Sequence, residues 1–515
     1  MSSGEAKQGG GQQEQERTGV LFSNAAAVRA VASAVEGTLG PKGLNCMLVD
    51  RFGDVTITND GSTILEKIEA THPAARLVIR AAKAQEAQVG DGTTTATILA
   101  SALVVEGASH AAKGVPIAKI VEGMRAAVKR AAQVMGDGAK RVSGLSDPLV
   151  LRAAIIAARQ QEEIAALALE AAKVFGASEL KRPGMRLADW VVAKEGARDE
   201  VVSGLVLERA PLNAQMPKDM RDCKILVIDD ALEPEKLDGN ALATEAGLSR
   251  HLELENAFRK TLERIVSLGV GAIFVQGPVS DAAEETLTEA GVMVVRRVTA
   301  TELARIVEHA GARPVKRTGL AREDEQLRAL LGQAARVYEE PELEQIRILR
   351  GSGKRLATLM VGASAREVKD ERKRIAQDAC SAIQQALIGG VLPGGGAAEL
   401  VAAREAQKVR EGLSGMAAYG AECVVEALKA PMAQIVANAG FNPLEKVQQA
   451  MAAGGRDGVG IDCETGEVVD MMEKGIVDPA TVKVHALLAA AEVAEAILRI
   501  NTIIRKKEER TGQTP

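Results

Sequence analysis

The two ends of this chain read alike, and its middle reads differently. Residues from about 20 to 140 and from about 395 to 505 are alanine-rich helical stretches broken by glycine loops. The second of these ends in "VKVHALLAAAEVAEAILRINTIIRKKEER". Between them, "CKILVIDD" (Cys223 to Asp230) is a short apolar run closed by acids, which reads as a buried strand. The segments "VGAIFVQG", "SDAAEETLTEAG", "VMVVRRV" and "ATELARIVEHAG" then alternate strand, helix, strand, helix, the signature of a parallel βαβ unit. The simplest architecture is a helical domain split between both chain ends, with an α/β domain inserted and short segments, about 142–205 and 360–392, joining the two. A chain of 515 residues is long enough for several domains. Its apolar content is 46% but its aromatic content only 2%, so the core must be built from Ala, Val, Leu and Ile, as in close-packed helices.

Smaller features refine this outline. "NCMLVDRFGDVTITND" alternates as a strand pair around Phe52, Gly53 and Asp54. After "LEPEKLDG", Leu254, Phe258, Leu262 and Ile265 recur three or four apart and predict an amphipathic helix, preceded by a looser stretch with Leu242, Leu248 and Leu252. That segment is either a crossover helix with a long lead-in or a protrusion that carries apolar groups to a partner. The polar, glycine-rich "MSSGEAKQGGGQQEQERTG" lacks the apolar centre of a signal peptide and reads as a flexible tail over residues 1–17. Residues 506–515 read as a second tail. Net charge is −5, which gives no field for nucleic acid. No uncharged apolar run approaches the ~20 residues of a membrane span. The five cysteines (Cys46, Cys223, Cys380, Cys423, Cys463) are scattered, as expected of reduced thiols in a cytoplasmic protein.

Chemistry concentrates in the glycine turns. No G-x-x-x-x-G-K-[ST] is present, which disfavours a P-loop. Three other turns stand near acids: "TLGPKG" (Thr38 to Gly43), "TNDGSTIL" (Thr58 to Leu65) and "GDGTTT" (Gly90 to Thr95). The last offers a carboxylate, three hydroxyls and a helix N-terminus, a set suited to phosphate oxygens bridged by Mg2+. Asp91 is the expected metal ligand. Downstream, Asp378 lies on a mostly apolar helix face that runs into "PGGGA" (Pro393 to Ala397). There it either bonds a neighbouring backbone or orients a water for in-line attack on phosphorus.

Together these residues resemble the chaperonins. "TLGPKG", "NDGSTIL", "GDGTTT", "LPGGGAAEL" and "GIVDPATVK" (Gly475 to Lys483) stand in that family's order and spacing, from about residue 18 to 505. "MLVDRFGDVTITNDGSTIL" and "HPAARLVIRAAKAQEAQVGDGTTTA" are similar to the group II branch, the archaeal thermosome and eukaryotic cytosolic type. The resemblance implies an α+β multidomain chaperonin fold. Its equatorial ATPase domain would comprise residues 18–141 and 393–505, its intermediate domain 142–205 and 360–392, and its apical domain 206–359. A lid protrusion would span about 235–262. It further implies two stacked rings, usually of eight subunits each, ATP or ADP with Mg2+ as cofactors, non-native polypeptides as substrates, and no separate co-chaperonin.

Carried over by position, Thr38, Leu39, Gly40 and Pro41 would contact the nucleotide. Asp91 would bind Mg2+, and Gly61, Gly92, Thr93, Thr94 and Thr95 would surround the phosphates. Asp60 and Asp378 match the two acids that position the attacking water. Gly395 matches the glycine near the ribose, and Asp478 the acid at the ribose and adenine end, with Asp462 and Cys463 nearby. K+ beside the phosphates, held partly by carbonyls near Thr38 and Asn59, is implied by the resemblance alone.

One departure stands out. Where group II subunits carry a lysine that senses the terminal phosphate, this chain reads "AAIIAARQQEEIAAL", with Gln161 near the lysine's place and Arg159 close by. A neutral glutamine cannot replace an ammonium, whereas Arg159 carries the charge with a different reach. This departure, the scarce aromatics and the Ala/Arg-rich helices are similar to a divergent, group II-like bacterial subset called group III. From the residues alone, two other readings stay open. One is a metabolic phosphotransferase with an inserted α/β domain; the other is a scaffold that keeps the fold without hydrolysis.

Overall fold

The computed structural model describes residues 5–235, 244–453 and 458–503. The chain forms two compact units. The first comprises Met1–Leu169, Lys181–Ala188 and Arg374–Pro515, and the second Glu170–Leu180 and Asp189–Lys373. The discontinuity read from the sequence is therefore present. Residues 142–205 and 360–392, expected to form an intermediate domain, contribute to both units.

The first unit is a stack of long helices drawn from both chain ends. Glu5–Val35, Pro73–Val89, Thr93–Ala112 and Ile117–Asp137 come from the front, and Ala397–Gly412, Ala417–Asn438 and Ala480–Leu498 from the back. Their common core holds Val28, Leu99, Leu103, Ile120 and Met124 together with Leu428, Leu487, Ala490 and Ile497. Small side chains let the axes close up. A Cβ on Gly123 would lie 1.8 Å from the Ala417 carbonyl oxygen, and one on Gly420 would lie 1.9 Å from that of Ile120. At that crossing backbone meets backbone, which leaves no room for any side chain.

The expected strand pair is present: Cys46–Val49 pairs antiparallel with Val55–Thr58. The Asp50 carboxylate accepts from the N–H groups of Phe52 and Asp54 at 2.8 and 2.9 Å, and Gly53 turns the chain at φ +87°. The first helix begins at Glu5, within residues 1–17. A helix anchored at one end by buried Leu21, Val28 and Val31 extends without a new nucleation cost, and Glu, Gln, Lys and Arg are good helix formers.

The second unit is built on a six-stranded sheet. In spatial order its strands are Gly204–Leu207, Gln345–Gly351, Gly332–Glu340, Asp219–Ile228, Val270–Val275 and Met293–Val295. The last three are parallel, as the βαβ reading requires, and the others pair antiparallel. Helices Asp281–Glu289 and Ala300–Ala310 alternate with them, capped by Ser280 and by a Thr299–Glu302 capping box. A smaller sheet centres Thr358–Ala363 between Val191–Glu195 and Glu200–Val202. All three of its strands lie in this unit.

The amphipathic helix is longer than its periodicity implied. It runs from Glu245 to Ser267, with the Thr244 hydroxyl accepting from the Gly247 N–H. Leu248 and Leu252 therefore stand on a helix rather than in a loose lead-in, 53% and 52% exposed. A side-chain cap and flanking glutamates outweigh one interior glycine. Leu242 and the first part of the expected protrusion lie outside the described residues. Phe258, Leu262 and Ile265 are buried against Leu226, Ile273 and Val275 of the sheet. Leu262→Ala should cost about 2–5 kcal/mol in urea denaturation of the full chain, whereas Leu248→Ala should cost less than about 0.5 kcal/mol.

Candidate functional site

The glycine turns converge in the first unit. Asp60 caps the helix Gly61–Lys67, accepting from the N–H groups of Ser62 and Thr63 at 3.1 and 2.9 Å and from the Thr63 hydroxyl at 2.6 Å. That cap brings Gly61 directly onto the third turn, where a Cβ would lie 2.3 Å from Thr94 Oγ1 and 3.0 Å from Thr93 Oγ1. Asp91 stands between two left-handed glycines, Gly90 at φ +73° and Gly92 at φ +84°. The first ends the helix Pro73–Val89 and the second begins Thr93–Ala112. A β-carbon at either glycine would be strained in that conformation. The N-terminus at Gly92 has no side chain capping it, so the first N–H groups of that helix have no side-chain acceptor at the cap.

Asp378 arrives from a remote segment. It lies on the helix Arg366–Gly389, and Ser381 one turn on packs so tightly on Gly90 that a Cβ there would meet its Oγ at 2.4 Å. The outcome is a group of carboxylates sharing a partly buried site. Burial holds Asp378 well above the usual carboxylate range, Asp91 and Asp60 add repulsion, and Arg159 opposes them. Burial lifts Asp91 to about 6 against the Gly92 N–H, with repulsion from Asp478 and Asp60 and relief from Lys483. Glu86, one turn before Gly90, is pushed up to about 7 by burial, then by Asp91 and Asp60, against Arg186. Arg374 faces Asp60 at 3.6 Å. Burial and mutual repulsion disfavour the charged forms of these acids, so added cationic charge nearby would favour their ionisation.

At the other side of the site, Val391–Pro393 pairs antiparallel with Val477–Pro479, bringing "PGGG" beside Asp478. A Cβ on Gly394 would lie 3.2 Å from Asp478 Oδ2, and Gly395 is left-handed at φ +63° against Met471. The turn Thr38–Gly43 is held from outside: the Asn438 amide donates to the carbonyls of Glu36 and Leu39, each at 2.8 Å. Gly40 is left-handed there, and a Cβ on Gly43 would collide with the Thr38 carbonyl. Lys42 reaches Glu464 at 2.6 Å, which places the Asp462–Cys463 loop beside that turn. The Asp462 carboxylate is occupied locally. It accepts from the Glu464 N–H at 2.8 Å and faces Lys474, so its first role is to shape its own loop.

Sequence reading missed Gln85, Glu86, Glu399 and Lys483. Fully buried Gln85 donates to the carbonyls of Asp91 (2.9 Å) and Val482 (3.2 Å) and contacts His485, which ties the Asp91 turn to the last helix. Lys483 closes the last motif, and it pairs both with Asp478 of that same motif and with Glu399, 84 residues earlier in the chain. Among the described residues, no three His, Cys, Asp or Glu side chains could hold a metal ion unaided. A lone Asp91 suits an ion completed by phosphate oxygens and water. All five cysteines are free, and no described helix is long and apolar enough to cross a membrane.

Residues 31–508 match the model of the TCP-1/cpn60 chaperonin family. A thermosome subunit of Pyrococcus horikoshii is 31% identical over 513 residues, covering 95% of this chain and 92% of the relative. A thermosome subunit beta of Archaeoglobus fulgidus is 32% identical over 508 residues, covering 94% and 91%. Among solved structures, a group III chaperonin in the open state is similar with a TM-score of 0.86 and 44% identity, covering 95% of this chain and all of that one.

The raised carboxyls set a pH dependence for the ligand-free chain. Glu86 binds its proton more tightly folded than unfolded, so its contribution to stability is full below about 4.5 and is lost as pH rises towards 7. Without nucleotide or metal, Glu86→Gln should be the more stable form at pH 8 by about 1–3 kcal/mol, and the difference should vanish by about pH 4. Urea midpoints across that range measure it.

Proposed function

The chain belongs to the TCP-1/cpn60 chaperonin family, and from that premise we propose that it hydrolyses ATP at the convergent turns of its first unit to drive a folding chamber. One observation carries this reading. Asp60, Asp91 and Asp378, from three separated stretches, gather at an uncapped helix N-terminus in a site that favours cationic charge. The family match across nearly the whole chain leaves the phosphotransferase reading unsupported.

In the proposed site the N–H groups that follow Gly92 and the hydroxyls of Thr93, Thr94 and Thr95 hold phosphate oxygens. Asp91 is the one protein carboxylate offered to Mg2+, which when bound neutralises phosphate charge. Asp60 and Asp378 orient the attacking water, a task of positioning and polarisation. The lift on Asp378 suits a group that exchanges a proton with that water. Thr38, Leu39, Gly40 and Pro41 bound the nucleotide on one side, and Gly395 and Asp478 meet the ribose on the other. Asp462 and Cys463 form the wall beside that turn. Asn59 Oδ1 is buried with no hydrogen-bond partner, a free acceptor beside Asp60 that fits K+. Arg159 supplies the cationic charge that Gln161 lacks: Arg159 and Gln160 turn left-handed at φ +53° and +66°, and the arginine's field already reaches Asp378.

Substrates in this reading are non-native polypeptides, which expose apolar side chains to surfaces such as Leu248 and Leu252 on the helix Glu245–Ser267. The same helix belongs to a built-in lid. The assembly is two stacked rings of eight subunits in the cytoplasm, with no detachable cap.

Asp60→Ala and Asp378→Ala should each slow steady-state ATP hydrolysis by about 100-fold or more while ATP affinity changes less than about threefold. Hydrolysis at the wild-type rate in both variants would remove these acids from the mechanism. Sedimentation of the wild type near a megadalton tests the ring, and particles of one or two subunits would exclude it.

A further inference from the structure

Lys483 is an ammonium set between two carboxylates. Its Nζ donates to Glu399 Oε1 and to Asp478 Oδ2, each at 2.8 Å. Lys483 is 9% exposed and Glu399 only 1%. The second oxygen of Glu399 is buried with no hydrogen-bond partner. Burying a half-satisfied carboxylate is costly, and a buried ion pair gives weak stability compared with an apolar replacement. A purely structural role therefore explains this arrangement poorly.

Charge accounts for it better. Two carboxylates and one ammonium leave the group with one net negative charge. Glu399 sits in the first turn of Ala397–Gly412, a helix whose N-cap Gly396 supplies no side chain, so the helix dipole favours the acid there. Asp478 is the member that reaches the site, with its Oδ2 against Gly394. If Lys483 had Asp478 as its only partner, the pair would be neutral and Asp478 a weak acceptor. With Glu399 sharing the lysine, Asp478 keeps much of its negative charge, and a hydrogen bond to a charged acceptor is about twice as strong as one to a neutral acceptor.

We propose that Glu399 is a positioning residue which, through Lys483, fixes the negative charge that Asp478 presents to the ribose hydroxyls of the bound nucleotide. The inference rests on the nucleotide reading given above. It is electrostatic and acts at one end of the ligand. The field of the group also reaches Asp91, where Asp478 and Lys483 pull in opposite directions. A change in total charge alone would shift the affinity of every nucleotide together, whereas a change at Asp478 shifts only those that carry ribose hydroxyls.

The test compares ATP with 2′,3′-dideoxy-ATP, each with Mg2+, binding to the full-length assembly. Wild type should bind ATP at least about tenfold tighter. Glu399→Gln keeps the shape and one acceptor for Lys483 but removes the charge, and should narrow that ratio about three- to fivefold with kcat on ATP changed less than twofold. The double variant E399Q/K483Q removes both inner charges and should restore the ratio to within about twofold of wild type. A single variant whose ratio is unchanged, or a double variant as poor as the single, overturns the inference. If Glu399→Gln does not fold, the double variant alone decides, because a narrowed ratio there contradicts the charge count. Failure of the nucleotide reading looks different: wild type would bind neither ligand, or both equally.

Discussion

The crossing of Ile117–Asp137 over Ala417–Asn438 is the constraint on which the first unit depends. Gly123 and Gly420 place each helix's backbone against the other's, and these residues lie about three hundred positions apart in the chain. Loop closure over that distance is entropically expensive, though it grows only slowly with length. The contact becomes affordable because the core around it is continuous, with Leu99, Leu103 and Met124 meeting Leu428 and Leu487. The scarcity of aromatic residues follows from the same geometry. Helices whose backbones touch leave space for Ala, Val and Gly and little for a ring.

The candidate site is a product of that closure. Asp60 and Asp91 come from the front of the chain, Asp378 and Asp478 from the back, and each is set by a local device. Asp60 is fixed by its own helix cap, Asp91 by two left-handed glycines, and Asp478 by a short antiparallel pair. None of these devices alone would gather the acids. Packing does so, and burial first, then mutual repulsion, lifts Asp91, Glu86 and Asp378. Cationic charge brought to these carboxyls favours their ionised forms and so offsets part of that lift. The lysine between Glu399 and Asp478 belongs to the same economy of charge. It compensates part of the excess and leaves a defined remainder where a sugar hydroxyl could meet it.

Much of this was legible in the sequence, and the rest was not, for identifiable reasons. The hairpin at Phe52–Gly53–Asp54, the parallel strands from Cys223 onward and the split helical unit followed from periodicity and turn residues, which are local signals. The glycine turns could be read because left-handed backbone and close approach demand glycine. The inclusion of Leu248 and Leu252 in a helix was missed, since a side-chain cap can outweigh an interior glycine. Residues 142–205 and 360–392 contribute to both compact units, and spacing along the chain carries no record of which core each stretch packs on.

The sequence by itself determined which residues could do chemistry and in what order they occur, because backbone conformation, helix capping and side-chain type are properties of a few neighbouring residues. It contained Glu86, Glu399 and Lys483 without marking them, since a charged residue on a helix usually faces solvent. Only the tertiary structure decided that Glu399 and Lys483 lie inside and Glu86 is partly covered, which acids share a site, and which cation stands between them. Charge–charge interactions depend on separation in space and on exclusion of water, and both are fixed only when the two ends of the chain have closed on each other.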